Sequence, residues 1–300
     1  LGTPSTLARK TAAGDLLALL GGGLAWGLGP TVTKLAGLSG IGALVFSAAQ
    51  GLVAAVLVGG LAVAGGRRIR LTRQVVLYCL FAGVVGMALP NVLLYVGLQH
   101  VPAGFYALLS PWSPVLTGLL LGLSGHERVG PSVILGSVLA TLGTLAAMLP
   151  GAALPDRDAL PWAAALLLVP TAYAVTNAAA AAWRPPDVDG MALAPGTLAT
   201  TAIVMLPLAA LSGQLAAPAA VWAEAAPWLV AQGALQAVAF ALYFRNILRR
   251  GGVFASQVAY VITLSGVAWG ALVFAERPGW LTIPAAALVC GGLWLVTREK

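Results

Sequence analysis

Rows of polar and aromatic residues at helical spacing carry what chemistry this chain has. Asn91, Tyr95 and Gln99 recur at i, i+4 and i+8, and Tyr106, Ser110, Ser113 and Thr117 at i, i+4, i+7 and i+11. Ser256, Tyr260 and Thr263 form a third row with Gln257 beside it, and Gln232, Gln236 and Tyr243 a fourth. Trp26 with Pro30, and Tyr173 with Asn177, make two shorter ones. Steps of three and four place such groups on one face of a helix. These are hydrogen-bonding groups without a nucleophile and its base. There is no G-x-S-x-G, no H-E-x-x-H, and no histidine in the middle of an apolar run, since His100 and His126 fall near helix ends. The pattern points away from an enzyme and calls for no cofactor and no metal. It suits reversible binding of a small molecule, or the hydrogen-bonded packing of helix on helix.

The elements that position these rows follow from composition. Of 300 residues, 60% are hydrophobic and 8% charged, with a mean hydropathy of +0.93. A soluble domain carries about 25% charged residues, so this chain cannot cover itself with a water-compatible surface. An all-α integral membrane protein is expected. Apolar runs long enough to span a bilayer fall at about 15–36, 40–64, 74–98, 102–124, 130–149, 159–182, 192–213, 226–248, 252–275 and 279–297. The seventh is interrupted by Pro195 and Pro207. The first run, after Arg9 and Lys10, is too long for a secretory signal. Cys79 and Cys290 lie inside apolar runs and read as small hydrophobes rather than a disulfide or metal framework.

Ten spans put both termini on one side. Of the 16 basic residues, Lys34, Arg157 and Arg277 fall on the other side and the remaining 13 on that of the termini. The positive-inside rule then makes the termini cytoplasmic. Scattered through short loops, the net charge of +7 forms no contiguous nucleic-acid surface. Asp15 reads as standing at the entrance of the first helix. Asp156, Asp158, Glu224 and Glu276 read as loop residues on the other side, and Lys34 and Arg245 as snorkelling charges at opposite mouths. With no acid deep in a span, tight proton coupling is not expected.

The charges also repeat. Glu127-Arg128 and Gly130 match Glu276-Arg277 and Gly279 at an offset of 149, while Gly118, Gly122 and Tyr95 match Gly266, Gly270 and Tyr243 at 148. An odd number of spans per copy inverts the second copy in the membrane. The expected organisation is therefore two inverted five-helix repeats, 1–150 and 151–300, a construction that recurs in secondary transporters with the substrate near the midplane. Two such halves resemble the drug/metabolite transporter superfamily and its EamA branch. The segments that carry the likeness are "ALLGGGLAWGLGPTVTK" and "YVGLQHVPAGFYALLSPWSPVLTGLLLGLSGHERVG", together with a ninth helix closing in "FAERPG". That ninth helix lacks the prolines of the fourth.

The resemblance implies an exporter or facilitator of small amphipathic metabolites. Amino acids are the best class, aromatic ones among them, moved by alternating access. The cavity is expected among helices 1, 3, 4, 6, 8 and 9. Its candidate lining is Trp26, Asn91, Tyr95, Tyr106, Ser110, Trp112, Tyr173, Asn177, Gln236, Tyr243, Gln257, Tyr260 and Thr263. Trp269 is a further candidate contact, whereas Trp162, Trp222, Trp228 and Trp280 read as interface anchors. Pro111 and Pro114 are expected to loosen the fourth helix as a gate, freeing carbonyls around residues 107–110. The partners expected are a small-molecule substrate and the lipid bilayer, with the protein a monomer and a homodimer the alternative. Competing readings are a nucleotide-sugar or sugar-phosphate exchanger on the same fold, and a non-transporting membrane subunit.

Overall fold

The computed structural model describes residues 4–67, 71–125, 130–149, 154, 157–186, 188–250, 252–277 and 279–298. His126, Glu127 and Arg128 lie outside the described residues, as do Arg68, Arg70, Asp156, Lys300 and the side chains of Arg9, Lys10 and Arg298. Ten helical segments succeed one another: α1 (Pro4–Leu38), α2 (Ala43–Ala64), α3 (Arg73–Gly97), α4 (Ala103–Leu123), α5 (Pro131–Ala147), α6 (Leu160–Trp183), α7 (Gly190–Leu211), α8 (Ala219–Arg250), α9 (Phe254–Phe274) and α10 (Thr282–Arg298). Eight are long and apolar enough to cross a membrane, and α5 and α10 are shorter apolar helices of 17 residues each. The protein is thus an all-helical, multi-pass membrane protein.

The helix ends follow ordinary stop signals. Gly40, Gly66, Gly125 and Gly213 take a left-handed conformation just past α1, α2, α4 and α7, where only glycine is free of a Cβ penalty. Thr72 and Asp189 cap α3 and α7 by accepting from Val75 N and Ala192 N. The interrupted α7 is in fact one continuous helix with Pro195 and Pro207 inside it. Neighbouring helices tolerate such prolines by packing around them, and α2 and α3 both pack against α7.

Several of the packing pairs recur when the first five helices are exchanged with the last five, although α1 also meets α3 and α4 without a comparable counterpart contact from α6. α2 packs on α7, α4 on α9 and α5 on α10, each with its counterpart five helices on. α1 packs on α8 and α9, as α6 packs on α3 and α4, and α2 meets α8 as α7 meets α3. Small residues set these approaches. A Cβ on Gly27 of α1 would stand 2.0 Å from Ser265 Oγ of α9, and one on Gly143 of α5 would stand 2.8 Å from the Ala285 carbonyl of α10. Close backbone contact of this kind replaces the hydrophobic drive that lipid cannot supply between helices.

Four of the spans are not regular throughout. α3 passes through a π-helical turn at Val84–Ala88, just before Pro90. α6 breaks at Leu167, α4 between Leu109 and Trp112, and α9 at Gln257.

Candidate substrate site

The break in α4 follows from its prolines. Pro111 and Pro114 have no N–H to give to the carbonyls of Ala107 and Ser110. Those carbonyls are not left open, which corrects the expectation of freed acceptors around residues 107–110. Ser110 N donates to Ala107 O at 3.3 Å and Ser113 N to Ser110 O at 3.2 Å, a local tightening of the helix. α9 repeats the arrangement without a proline. Gln257 N donates to Phe254 O at 3.2 Å and Tyr260 N to Gln257 O at 3.1 Å. Each residue of this second set stands 147 positions after its counterpart (107 to 254, 110 to 257, 113 to 260).

Polar side chains gather at these irregular turns. Ser110 and Trp112 flank the α4 break, Gln257 sits in the α9 break, and Asn91 follows the π-turn of α3; all four are half-buried. Asn177 is exposed on α6. Among the described residues, the side chains of Asn91, Ser110, Asn177 and Gln257 have no hydrogen-bond partner. On the α1–α8 side, Trp26 Nε1 donates to Gln236 Oε1 at 3.2 Å, and its ring meets Phe240 edge-on at 5.5 Å and Tyr243 at 5.4 Å. Gln236 keeps Nε2 available. Between α4 and α6, Tyr106 and Tyr173 belong to one apolar cluster.

Two other predicted lining residues are placed elsewhere. Tyr95 is buried against Phe46, ring centroids 5.0 Å apart, and its hydroxyl donates to the Ile41 carbonyl. Thr263 is fully buried and donates to Ala259 O one turn back on its own helix, at 2.9 Å. Both sit where helices touch. Tyr260 lies on α9 one turn past the break, half-buried. Trp162, read as a membrane anchor, stacks on His100 with ring centroids 3.9 Å apart, while Trp280 is exposed.

The two ends of the bundle hold groups that the spacing of the rows did not reveal. Glu276 is no loose loop residue. Its carboxylate accepts from Ala103 N at 2.7 Å and Gly104 N at 2.9 Å, capping α4 from across the bundle. Lys34 of α1 donates to the same carboxylate at 3.3 Å and to Val101 O at 3.1 Å, with its ammonium over the Phe274 ring. Ala275 takes a left-handed conformation (φ 52°) that folds Glu276 back to this position. Lys34 is therefore a partner in a ternary contact of α1, α4 and α9, not a snorkelling charge.

At the opposite face, Asp15 lies about three turns inside α1, which starts at Pro4, and is only 3% exposed. Its carboxylate is shared by Arg249 at 2.8 Å, Arg245 at 3.3 Å and Arg250 at 3.5 Å, all from α8. Arg67 pairs with Asp189 nearby at 3.1 Å. Beside these charges opens a cavity of about 250 Å³ lined by Arg67, Met191, Ala241, Phe244, Arg245, Leu248 and Arg249. A long side chain can reach a buried acid anywhere within several ångströms, so i+3 and i+4 counting did not find either cluster. The only available signal was that Asp15 and Glu276 are acids beside apolar runs.

The two ends also differ in how α4 sits. Its first half, Ala103–Leu109, packs against Val258–Phe274 of α9, whereas its second half, Trp112–Leu123, packs against α5, α6 and α10.

Comparison with known proteins agrees with this architecture. Residues 12–149 match the EamA-like transporter family. A solved structure described only as "Crystal structure of protein" superposes with a TM-score of 0.66 at 18% identity, over 96% of this chain and 99% of the other. At that identity the likeness concerns the fold. No curated protein matches the chain.

Proposed function

We infer that this chain, whose residues 12–149 are those of an EamA-like transporter and which is thereby a membrane transporter of the drug/metabolite type, moves small amphipathic metabolites, with amino acids, aromatic ones included, as the substrate class. One observation carries the substrate reading. Amide and hydroxyl groups from α3, α4 and α9 stand half-buried and without protein hydrogen bonds at the irregular turns of those helices, with the Trp26–Gln236 pair contributed by α1 and α8. An amide turned toward acyl chains would lose its water hydrogen bonds at a cost of several kcal/mol. Groups of this kind are at low cost only where they face water or a polar ligand. Amides and hydroxyls suit zwitterionic head groups, and Trp26, Trp112, Phe240 and Tyr243 offer faces to an apolar or aromatic side chain.

The proposed mechanism is alternating access. Residues 1–150 and 151–300 act as two inverted copies of one five-helix unit that rock about the broken turns of α4 and α9. The packing pairs that recur between the two halves, and the break that recurs 147 residues later, support that reading. The termini are assigned to the cytoplasm of a bacterial inner membrane by the distribution of Lys and Arg. In this state the Glu276 face is closed. The acids at the two ends, Asp15 and Glu276, are engaged in ion pairs, so substrate flux follows its own gradient without tight proton coupling.

The experiment is efflux from reconstituted liposomes loaded with a panel of amino acids, with and without an imposed pH gradient. Aromatic and branched amino acids are expected to leave fastest, and Gln236→Leu is expected to slow them about ten-fold by removing one polar contact of about 1.4 kcal/mol. Accumulation driven by the pH gradient would overturn the uncoupled mechanism. Flux indifferent to every amino acid would overturn the substrate class.

A further inference from the structure

The cavity at the Asp15 face is too charged to be a packing defect. Among the described residues, four guanidiniums, Arg67, Arg245, Arg249 and Arg250, meet two carboxylates, Asp15 and Asp189, which leaves two positive charges in excess. Three of the guanidiniums crowd around the single carboxylate of Asp15. Arg67 and Arg249 reach their acids through Nε alone, so the paired Nη groups of both stay available as a donor fork. Such forks match phosphate oxygens in geometry as well as charge.

The cavity is also graded by depth. Arg67 follows the end of α2 and Met191 opens α7, while Arg245, Leu248 and Arg249 belong to the last turns of α8. Ala241 lies about one turn deeper along α8 than Arg245, and Phe244 a little over one turn deeper than Arg249. The cationic rim therefore sits at the level where spans end, above an apolar floor, and Leu248 is 64% exposed at its side. A soluble anion would have no use for that floor. An anionic lipid presents its phosphate and its acyl chains in this same order, and basic pockets between spans on the cytoplasmic side suit such headgroups.

We propose that the cavity between α2, α7 and α8 holds the phosphodiester headgroup of an anionic phospholipid, with Arg67 and Arg249 on the phosphate and Met191, Phe244 and Leu248 against the start of the acyl chains. The bound anion supplies the charge that one buried Asp15 cannot. This site lies outside the substrate site proposed above and does not depend on what is transported.

The test is thermal unfolding and native mass spectrometry of the purified chain in phosphatidylcholine nanodiscs, with and without phosphatidylglycerol, and with inorganic phosphate as the soluble arm. Phosphatidylglycerol is expected to be retained through desolvation and to raise the unfolding temperature, and inorganic phosphate to do neither. Arg67→Gln/Arg249→Gln is expected to weaken that association roughly thirty-fold, from two lost contacts to an anionic headgroup. Arg250→Gln removes a partner of Asp15 that does not line the cavity and is expected to retain the lipid, which separates headgroup binding from damage to the ion cluster. Equal stabilisation by phosphatidylcholine, retention of phosphatidylglycerol by the double variant, or an equal effect of inorganic phosphate would each overturn the proposal.

Discussion

At the Glu276 face one carboxylate meets one ammonium and two backbone N–H groups, while at the Asp15 face one carboxylate is shared by three guanidiniums. The first arrangement is neutral in charge and complete in hydrogen bonds. It ties α1, α4 and α9 together, beside the glycine seam formed by Gly104, Gly266 and Gly270. The second is over-supplied with cations and borders an open cavity. The two faces thus end differently: a helix cap ties three helices together at one, and a surplus of guanidiniums gathers at the other.

Removing the shared acid at the Asp15 face is expected to have the largest effect. Asp15→Ala leaves Arg245, Arg249 and Arg250 without their common partner, and breaking a buried ion pair costs about 3–5 kcal/mol. Unfolding by SDS in mixed micelles measures it, and a loss below about 1 kcal/mol would show that the guanidiniums simply turn to water. Glu276→Ala at the other face removes two charge-assisted bonds to the start of α4 as well as the Lys34 pair. The group is partly open to solvent, so the expected cost is about 3 kcal/mol, accompanied by faster alkylation of a cysteine placed at Ala103. If that labelling rate does not change, Glu276 caps α4 without sealing the face.

A smaller effect is expected from the seam itself. A Cβ on Gly270 would stand 2.3 Å from Glu276 Oε2 and 2.8 Å from Gly104 N, and the latter atom is backbone and cannot swing away. Gly270→Ala is therefore expected to cost about 2 kcal/mol as an overpacking change and to spread α4 from α9. Spin labels on the two helices would report the separation, and an unaltered distance would sink the argument. The smallest effect has the opposite sign. Ala275 holds a left-handed conformation at the end of α9, whereas α4 ends on Gly125 in the corresponding role. Ala275→Gly is expected to stabilise the chain by about 1 kcal/mol, and destabilisation in the same SDS titration would mean that the Ala275 methyl packs favourably.

Much of the fold was legible because membrane spans obey one-dimensional rules. Helix length, Gly stops and the alternation of basic loops placed all ten segments, α7 included, within a few residues of their observed bounds, apart from the longer starts of α1 and α8. The candidate site was legible in part. Trp26, Gln236 and Tyr243 do meet, but Tyr95 shares their helical-row logic and is buried beside Phe46 instead. A row identifies a face of a helix, and only the neighbouring helix decides whether that face lines a space or a contact.

The sequence by itself determined that this chain lives in a bilayer, how many helices it makes and which residues are too polar to face lipid, because hydropathy and helical period act locally. Tertiary structure alone decided that α9 breaks at Gln257 without a proline, that Lys34 of α1 pairs with Glu276, and that four arginines from two distant segments converge around Asp15 and Asp189. The two charge clusters rest on carboxylates paired with an ammonium or guanidiniums across 122 to 242 positions of chain. Electrostatic pairing in a low-dielectric surrounding selects partners by distance in space, and no spacing along the sequence encodes it.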